Sequence, residues 1–252
     1  IKPFHVRPTP LHVYILCDPS KGASATSDRT AMAVIGLDVD RKKYLLDGFR
    51  HRMNLAERWE KLLDLHRKWT REPGVQYVQV GYESFGMQTD VEYYRERMRS
   101  MEYYFDIQEL TWPRSGGSSK EDRVERLVPD LLSGRFFVPA VVWHEVHETA
   151  TWSCDKGAPE HAKDNRAQRL QMSREYRGHQ DTARIAAPIQ QRNELGETYD
   201  LTRDLMEEIL YFPFGRHDDL VDAVSRFYDM DASEPYDPDD LLVLEPPTFF
   251  DT

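Results

Sequence analysis

Three apolar runs near the start of the chain, Leu11–Cys17, Thr30–Leu37 and Lys43–Arg50, constrain the fold most. The first, Leu-His-Val-Tyr-Ile-Leu-Cys, reads as a buried strand that stops at the turn signal Asp18-Pro19-Ser20, and a loop rich in Ser, Gly and Ala follows to Ser27. Asp38–Arg41 alone separates the second run from the third, a hairpin connection, so the three predict an antiparallel meander. Asn54 then offers an N-cap for a helix through about Arg71, closed by Pro73-Gly74, with Leu55, Trp59, Leu62, Leu63 and His66 on one apolar face. Val75–Tyr82 predicts another strand, followed by a helix through about Met101 and a strand near Tyr104–Leu110. Three strands, helix, strand, helix, strand is the pattern of an α/β domain whose central mixed sheet is antiparallel first and parallel afterwards.

Beyond this, Trp112–Ser119 reads as a loop, Lys120–Leu132 as a helix and Phe136–Val138 as a short strand. Thr198–Leu210 and Asp218–Tyr228 read as helices. Residues 140–195 lose the periodic pattern and read as an insertion into a domain spanning 11–229. Residues 1–10, with Pro3, Pro8 and Pro10, read as a linker from a preceding portion, and 230–252 as an acidic, Pro-rich tail. No apolar run is long enough to span a membrane, so no membrane association is expected. Cys17 and Cys154 lack paired metal-site spacing and read as two reduced thiols.

Chemistry-bearing residues fall at the element ends. Asp18 follows the first strand, Glu83 follows the fourth, and His217-Asp218-Asp219-Leu220-Val221-Asp222-Ala223 opens the last helix. An Asp after a strand is by itself usually a turn residue, and Asp218 and Asp219 suit any helix N-terminus. Asp222 is harder to dismiss, because it interrupts an apolar stretch. Asp219 and Asp222, three apart, share a helix face, as do Asp218 and Asp222, four apart. If Asp18 and Glu83 emerge at one sheet edge, the set suits two hard divalent cations, Mg²⁺ or Mn²⁺, held by oxygen ligands for phosphodiester cleavage. Asp18 is the expected bridging ligand, Glu83 holds one ion, and Asp222 with Asp219 the other. Asp218 is a weaker candidate, and which of the three helix acids ligates directly stays open.

These stretches resemble the nuclease domain of the large terminase subunit of tailed bacteriophages. The likeness rests on Leu16-Cys17-Asp18-Pro19, Asp28–Gly36, Tyr44-Leu45-Leu46-Asp47, Val80–Gly86, Lys120–Val124 ahead of Ser133-Gly134-Arg135, and most specifically Gly215–Ala223. It implies a ribonuclease-H-like fold and metal-dependent endonuclease cutting of concatemeric viral double-stranded DNA during packaging. It carries the catalytic acids onto Asp18, Glu83, Asp219 and Asp222. His217 is placed to contact phosphate or orient a carboxylate, with Lys120 and Arg123 as supporting residues. The implied partners are a packaging ATPase in the same intact chain, the portal and the small terminase subunit, and the implied location is the host cell cytoplasm. The chain has no Gly-x-x-x-x-Gly-Lys-Ser/Thr phosphate loop, so the ATPase is expected upstream of residue 1.

Net charge is −11, which by itself argues against DNA binding. Between Lys156 and Arg192, however, eight Lys and Arg stand against four Asp and Glu. Lys163, Arg166, Arg169, Arg174 and Arg177 are the candidate DNA-backbone contacts, and a solvated helix with alternating charges is the alternative reading of the same segment. Two other readings stay open: a resolvase- or transposase-type ribonuclease-H-like enzyme, and a non-catalytic docking module of the motor.

Overall fold

The computed structural model describes residues 2–4, 10–20, 29–84, 88–111, 120–139, 142–144, 149–151 and 188–237. Its framework is a seven-stranded sheet. The strands are β1 (Lys2–Phe4), β2 (Leu11–Asp18), β3 (Thr30–Leu37), β4 (Lys43–His51), β5 (Val75–Glu83), β6 (Ile107–Leu110) and β7 (Phe136–Pro139), in the spatial order β1-β7-β4-β3-β2-β5-β6. β2, β3 and β4 form the expected antiparallel meander, and β5 and β6 add in parallel beside β2. β7 lies parallel to β4 at the other side. This is the mixed sheet, antiparallel then parallel, that the ribonuclease-H-like resemblance implies.

β2 and β3 are buried along their whole length except Asp18, because both faces of the sheet are covered. Their alternate residues therefore feed two cores. On one face Val13, Ile15, Cys17, Met32 and Val34 pack with α1 (Leu55–Thr70) and α2 (Gln88–Met101) through Trp59, Leu62, Trp69, Val91 and Tyr94. On the other, Tyr14, Leu16, Ala33 and Ile35 pack with α5 (Leu201–Tyr211) and α6 (Asp219–Ser225) through Leu205, Leu220, Val221 and Val224. α1 starts where the sequence predicts. Asn54 accepts from the Glu57 backbone N–H at 3.0 Å, and Glu57 accepts from that of Asn54 at 2.8 Å.

Several boundaries differ from the sequence expectation. The single helix expected over 120–132 is two, α3 (Lys120–Glu125) and α4 (Val128–Leu132), with Pro129 in the first turn of the second. A proline lacks the N–H that a continuous helix needs and disfavours helical geometry in the residue before it. The helix expected from Thr198 begins at Leu201, capped by Asp200, which accepts from the Arg203 N–H. Thr198–Asp200 instead pairs antiparallel with Gln190–Arg192. Tyr199 is drawn out of the helix because its hydroxyl accepts from the Arg50 backbone N–H at 2.8 Å. The strand expected from Tyr104 is confined to Ile107–Leu110, and the last helix ends at Ser225, followed by a 3₁₀ turn, Arg226–Asp229.

Lys2–Phe4, within the expected linker, pairs in parallel with β7. The first residues of the expected tail run back across the sheet. There His12 and Tyr14 bond the Ser233 carbonyl, and Gln76 reaches Tyr236. Most of the 140–195 segment, including Lys163, Arg166, Arg169, Arg174 and Arg177, lies outside the described residues. Val142–His144 and Thr149–Thr151 form a small antiparallel pair. No helix among the described residues is long and apolar enough to cross a membrane.

Candidate active site

The strand register brings the first two acids together. β2 and β5 run parallel with Cys17 opposite Tyr82, so the next residues, Asp18 and Glu83, leave the sheet side by side at its C-terminal edge. Neighbouring strands lie about 4.8 Å apart. α6 packs over β2 and β3. Leu220, Val221, Ala223 and Val224 are buried in the core there, while Asp222 is buried at the same sheet edge. Asp18, Glu83 and Asp222 thus converge from three elements. Burial pushes the Asp18 carboxyl well above the usual carboxylate range, and the negative charges of Glu83 and Asp222 push it further; Lys120 and Arg226 oppose them.

Cationic side chains hold the other two acids. Arg226 donates to Glu83 from Nε at 3.0 Å and pairs with it again through its second terminal nitrogen. Its remaining nitrogen reaches Asp229 at 3.0 Å. Arg123 donates to Asp222 at 2.7 Å, and the Lys120 ammonium lies 3.2 Å from Asp222 and 2.9 Å from Asp218. Burial works against the Lys120 charge, but Asp222 and Asp218 outweigh it and raise its pKa. Burial lowers that of Arg123 despite Asp222. The supporting residues Lys120 and Arg123 therefore belong to the cluster.

Asp219 sits differently. It is half-exposed at the first position of α6, and its charge acts on Glu208 of α5. His217 is exposed, and its pKa is lowered first by desolvation and then by Arg50, Arg29 and Arg216. Among the described residues, no three acidic, His or Cys side chains stand close enough to encircle a metal ion. In donor chemistry the site nevertheless fits a hard divalent cation. Its potential ligands are carboxylate oxygens, and Asp18 lies under the combined negative field of Glu83 and Asp222.

Sequence reasoning missed two residues. Glu208 is buried, and its carboxylate accepts the backbone N–H groups of Leu220 at 2.8 Å and Val221 at 3.0 Å. It also pairs with Arg50, which bonds Asp204 at 2.9 Å. Burial pushes the Glu208 pKa up to about 7, against the lowering effect of these donors. Glu208 therefore ties α5 to the start of the helix that carries Asp222. Arg226, almost wholly buried, is the second. The available signal was a charged residue on an apolar helix face: Leu201, Leu205 and Glu208 fall at helical spacing, and Arg226 lies four residues after Asp222.

No protein-family profile and no curated protein sequence matches the chain. Among solved structures, the chain is similar to the human cytomegalovirus terminase nuclease domain, at 13% identity and a TM-score of 0.47, over 90% of this chain and 86% of that one. The manganese-soaked form of that domain aligns at 13% identity and a TM-score of 0.46, over 90% and 85% of the two chains. The large terminase of bacteriophage HK97 aligns at 15% identity and a TM-score of 0.29, over 54% of this chain and 31% of its own length.

Proposed function

We propose that this chain is a metal-dependent endonuclease domain of the terminase type, cutting viral double-stranded DNA by two-metal-ion hydrolysis. The observation that carries the proposal is the in-register exit of Asp18 and Glu83 from adjacent parallel strands, facing Asp222 of α6. Bound Mg²⁺ or Mn²⁺ would supply Lewis acidity and lower the pKa of a coordinated water. Asp18, on which the charges of both Glu83 and Asp222 act, would be the ligand shared by the ions, and Glu83 and Asp222 would complete the set that holds them. Asp219, at the first position of α6, and Asp218, just before it, would serve through water or at the edge of the site. Lys120, already shared between Asp218 and Asp222, is positioned to offer its ammonium to a phosphate oxygen. Arg123 and Arg226 hold the Asp222 and Glu83 carboxylates in place.

Double-stranded DNA as substrate, a packaging ATPase in the same intact chain, the portal and small terminase subunit as partners, and action in the host cytoplasm belong to the same proposal. The test is plasmid cleavage with Mn²⁺ or Mg²⁺ by the wild type and by Asp18→Asn, Glu83→Gln and Asp222→Asn. Loss of cutting by folded variants supports the assignment; undiminished cutting by all three refutes it. One observation favours a second reading, a non-catalytic docking module: Glu83 and Asp222 are already engaged by Arg226, Arg123 and Lys120, as in a structural ion-pair network. That reading predicts no metal-dependent nicking and no change in thermal stability with Mn²⁺.

A further inference from the structure

Immediately before the acidic helix, the chain exposes apolar bulk that the core does not use. Leu210 is 74%, Tyr211 67% and Phe214 94% exposed, at the end of α5 and in the turn that follows. The same turn exposes Arg216 and His217. A cleft of about 310 Å³ opens here, with Tyr211, Phe214, Arg216 and His217 on its walls and Arg50 and Glu208 among its remaining lining. Arg29, Arg50 and Arg216 all stand near enough to act on the charge of His217. Acids are present too, but Glu207 is engaged by Arg203 at 2.9 Å and Asp204 by Arg50 at 2.9 Å. Arg50 is buried and bonded to both Asp204 and Glu208, so the exposed Arg216 is the cation this turn offers to a polyanion.

We propose that the 211–217 turn is a DNA-contacting edge of the active site, in which Arg216 takes a backbone phosphate flanking the cleavage position and Phe214 packs against the adjoining sugar and base edge. The inference rests on the nuclease reading. Six residues lead from Arg216 to Asp222, so the two lie within about 20 Å. Duplex DNA carries one charge per about 1.7 Å of axis, so a strand lying across Asp18 and Asp222 presents phosphates to this turn as well. Guanidinium to phosphate and an exposed ring against the nucleotide is a sequence-tolerant contact set. It suits a site whose own carboxylates repel DNA and need cationic contacts alongside.

The experiment is fluorescence anisotropy of a short labelled DNA duplex with the 252-residue chain in EDTA, over a salt series, for wild type, Arg216→Ala, Phe214→Ala and Phe214→Trp. Arg216→Ala is expected to weaken binding about threefold to tenfold at low salt and make the salt slope shallower by about one. Phe214→Ala is expected to weaken it about fivefold with the slope unchanged, and Phe214→Trp to restore it. Both side chains are exposed, so thermal unfolding of the variants should match wild type. Wild-type affinity and slope in both alanine variants overturn the inference, and if the wild type still cuts plasmid with Mn²⁺ the nuclease reading stands without it. Failure of the wild type to bind DNA overturns it as well. A change in oligomeric mass at unaltered DNA affinity assigns the patch to a protein partner and also overturns it. DNA binding that depends on this turn without any metal-dependent cutting upholds the contact and removes the nuclease reading.

Discussion

Arg123 and Asp222 meet at 2.7 Å across 99 residues of chain, both side chains almost fully buried. Lys120 reaches the other oxygen of Asp222 at 3.2 Å from a more exposed position. The two cations are therefore not equivalent. Removing one partner of a buried pair leaves the other charge uncompensated, whereas a solvent-reachable ammonium contributes little. Arg123→Ala is expected to lower stability by about 3 kcal/mol, and Lys120→Ala by less than about 1 kcal/mol. Urea denaturation checks both, and pairing Arg123→Ala with Asp222→Asn should recover part of the loss.

Asp18 gives a pH-dependent prediction. Its folded pKa is raised by burial and by Glu83 and Asp222. Between the ordinary Asp value of about 4 and that raised value, the folded chain therefore holds a proton that the unfolded chain has lost. Stability contributed at this residue falls as pH rises through that window, and the penalty is complete above it. In EDTA, Asp18→Asn should match wild type near pH 4 and be increasingly the more stable protein as pH rises. Equal melting temperatures from pH 4 to 8 would contradict the argument.

Divalent cation supplies the complementary measurement. A ligand that binds only the folded state raises its stability in proportion to RT ln(1 + [L]/Kd). Millimolar Mn²⁺ should raise the wild-type melting temperature, and Asp18→Asn, Glu83→Gln and Asp222→Asn should each reduce that rise. An identical rise in all four proteins would place the ion elsewhere.

Glu208 is expected to matter without touching substrate. Glu208→Ala strips two N–H groups of their acceptor and leaves Arg50 with Asp204 alone, at a cost of about 2–4 kcal/mol. Amide hydrogen exchange at Leu220 and Val221 should accelerate, and cleavage should fall with it. Because burial raises the carboxyl to about 7, wild type loses stability between its ordinary value near 4.5 and that point. Glu208→Gln should therefore recover most of the alanine loss above pH 7 and less below pH 5.

Gly48 and Gly81 should respond differently to alanine. A Cβ at Gly48 would lie 2.4 Å from the Met32 carbonyl oxygen on a backbone with φ of +150°, so backbone must move. At Gly81 the atom met at 2.4 Å is the sulfur of Met230, part of a flexible side chain. Gly48→Ala is expected to cost more than about 1 kcal/mol, and Gly81→Ala clearly less, by thermal unfolding.

The meander, α1 and the two strand-end acids were legible because each depends on local signals: apolar runs, the Asn54 cap and the turn at Asp18-Pro19. Residue type could not show that Asp219 and Asp222, three apart on one helix, divide their attention. Asp222 packs inward against Arg123, while the charge of Asp219 acts on Glu208, a neighbour supplied by tertiary packing. The break at Pro129 was readable from proline chemistry, but a periodic apolar face through Val124, Leu127, Val128 and Leu131 masked it. Tyr199 left its expected helix for a hydroxyl contact with Arg50, 149 residues away, which no local rule contains.

The in-register pair Asp18 and Glu83 comes from strands close together in the sequence, yet its third member is residue 222. Emerging from the ribosome, the chain carries two carboxylates long before α6 and its Glu208 tether exist. The three carboxylates therefore stand together only where α6, tethered by Glu208, has docked on the sheet, so their proximity is itself a readout of that packing.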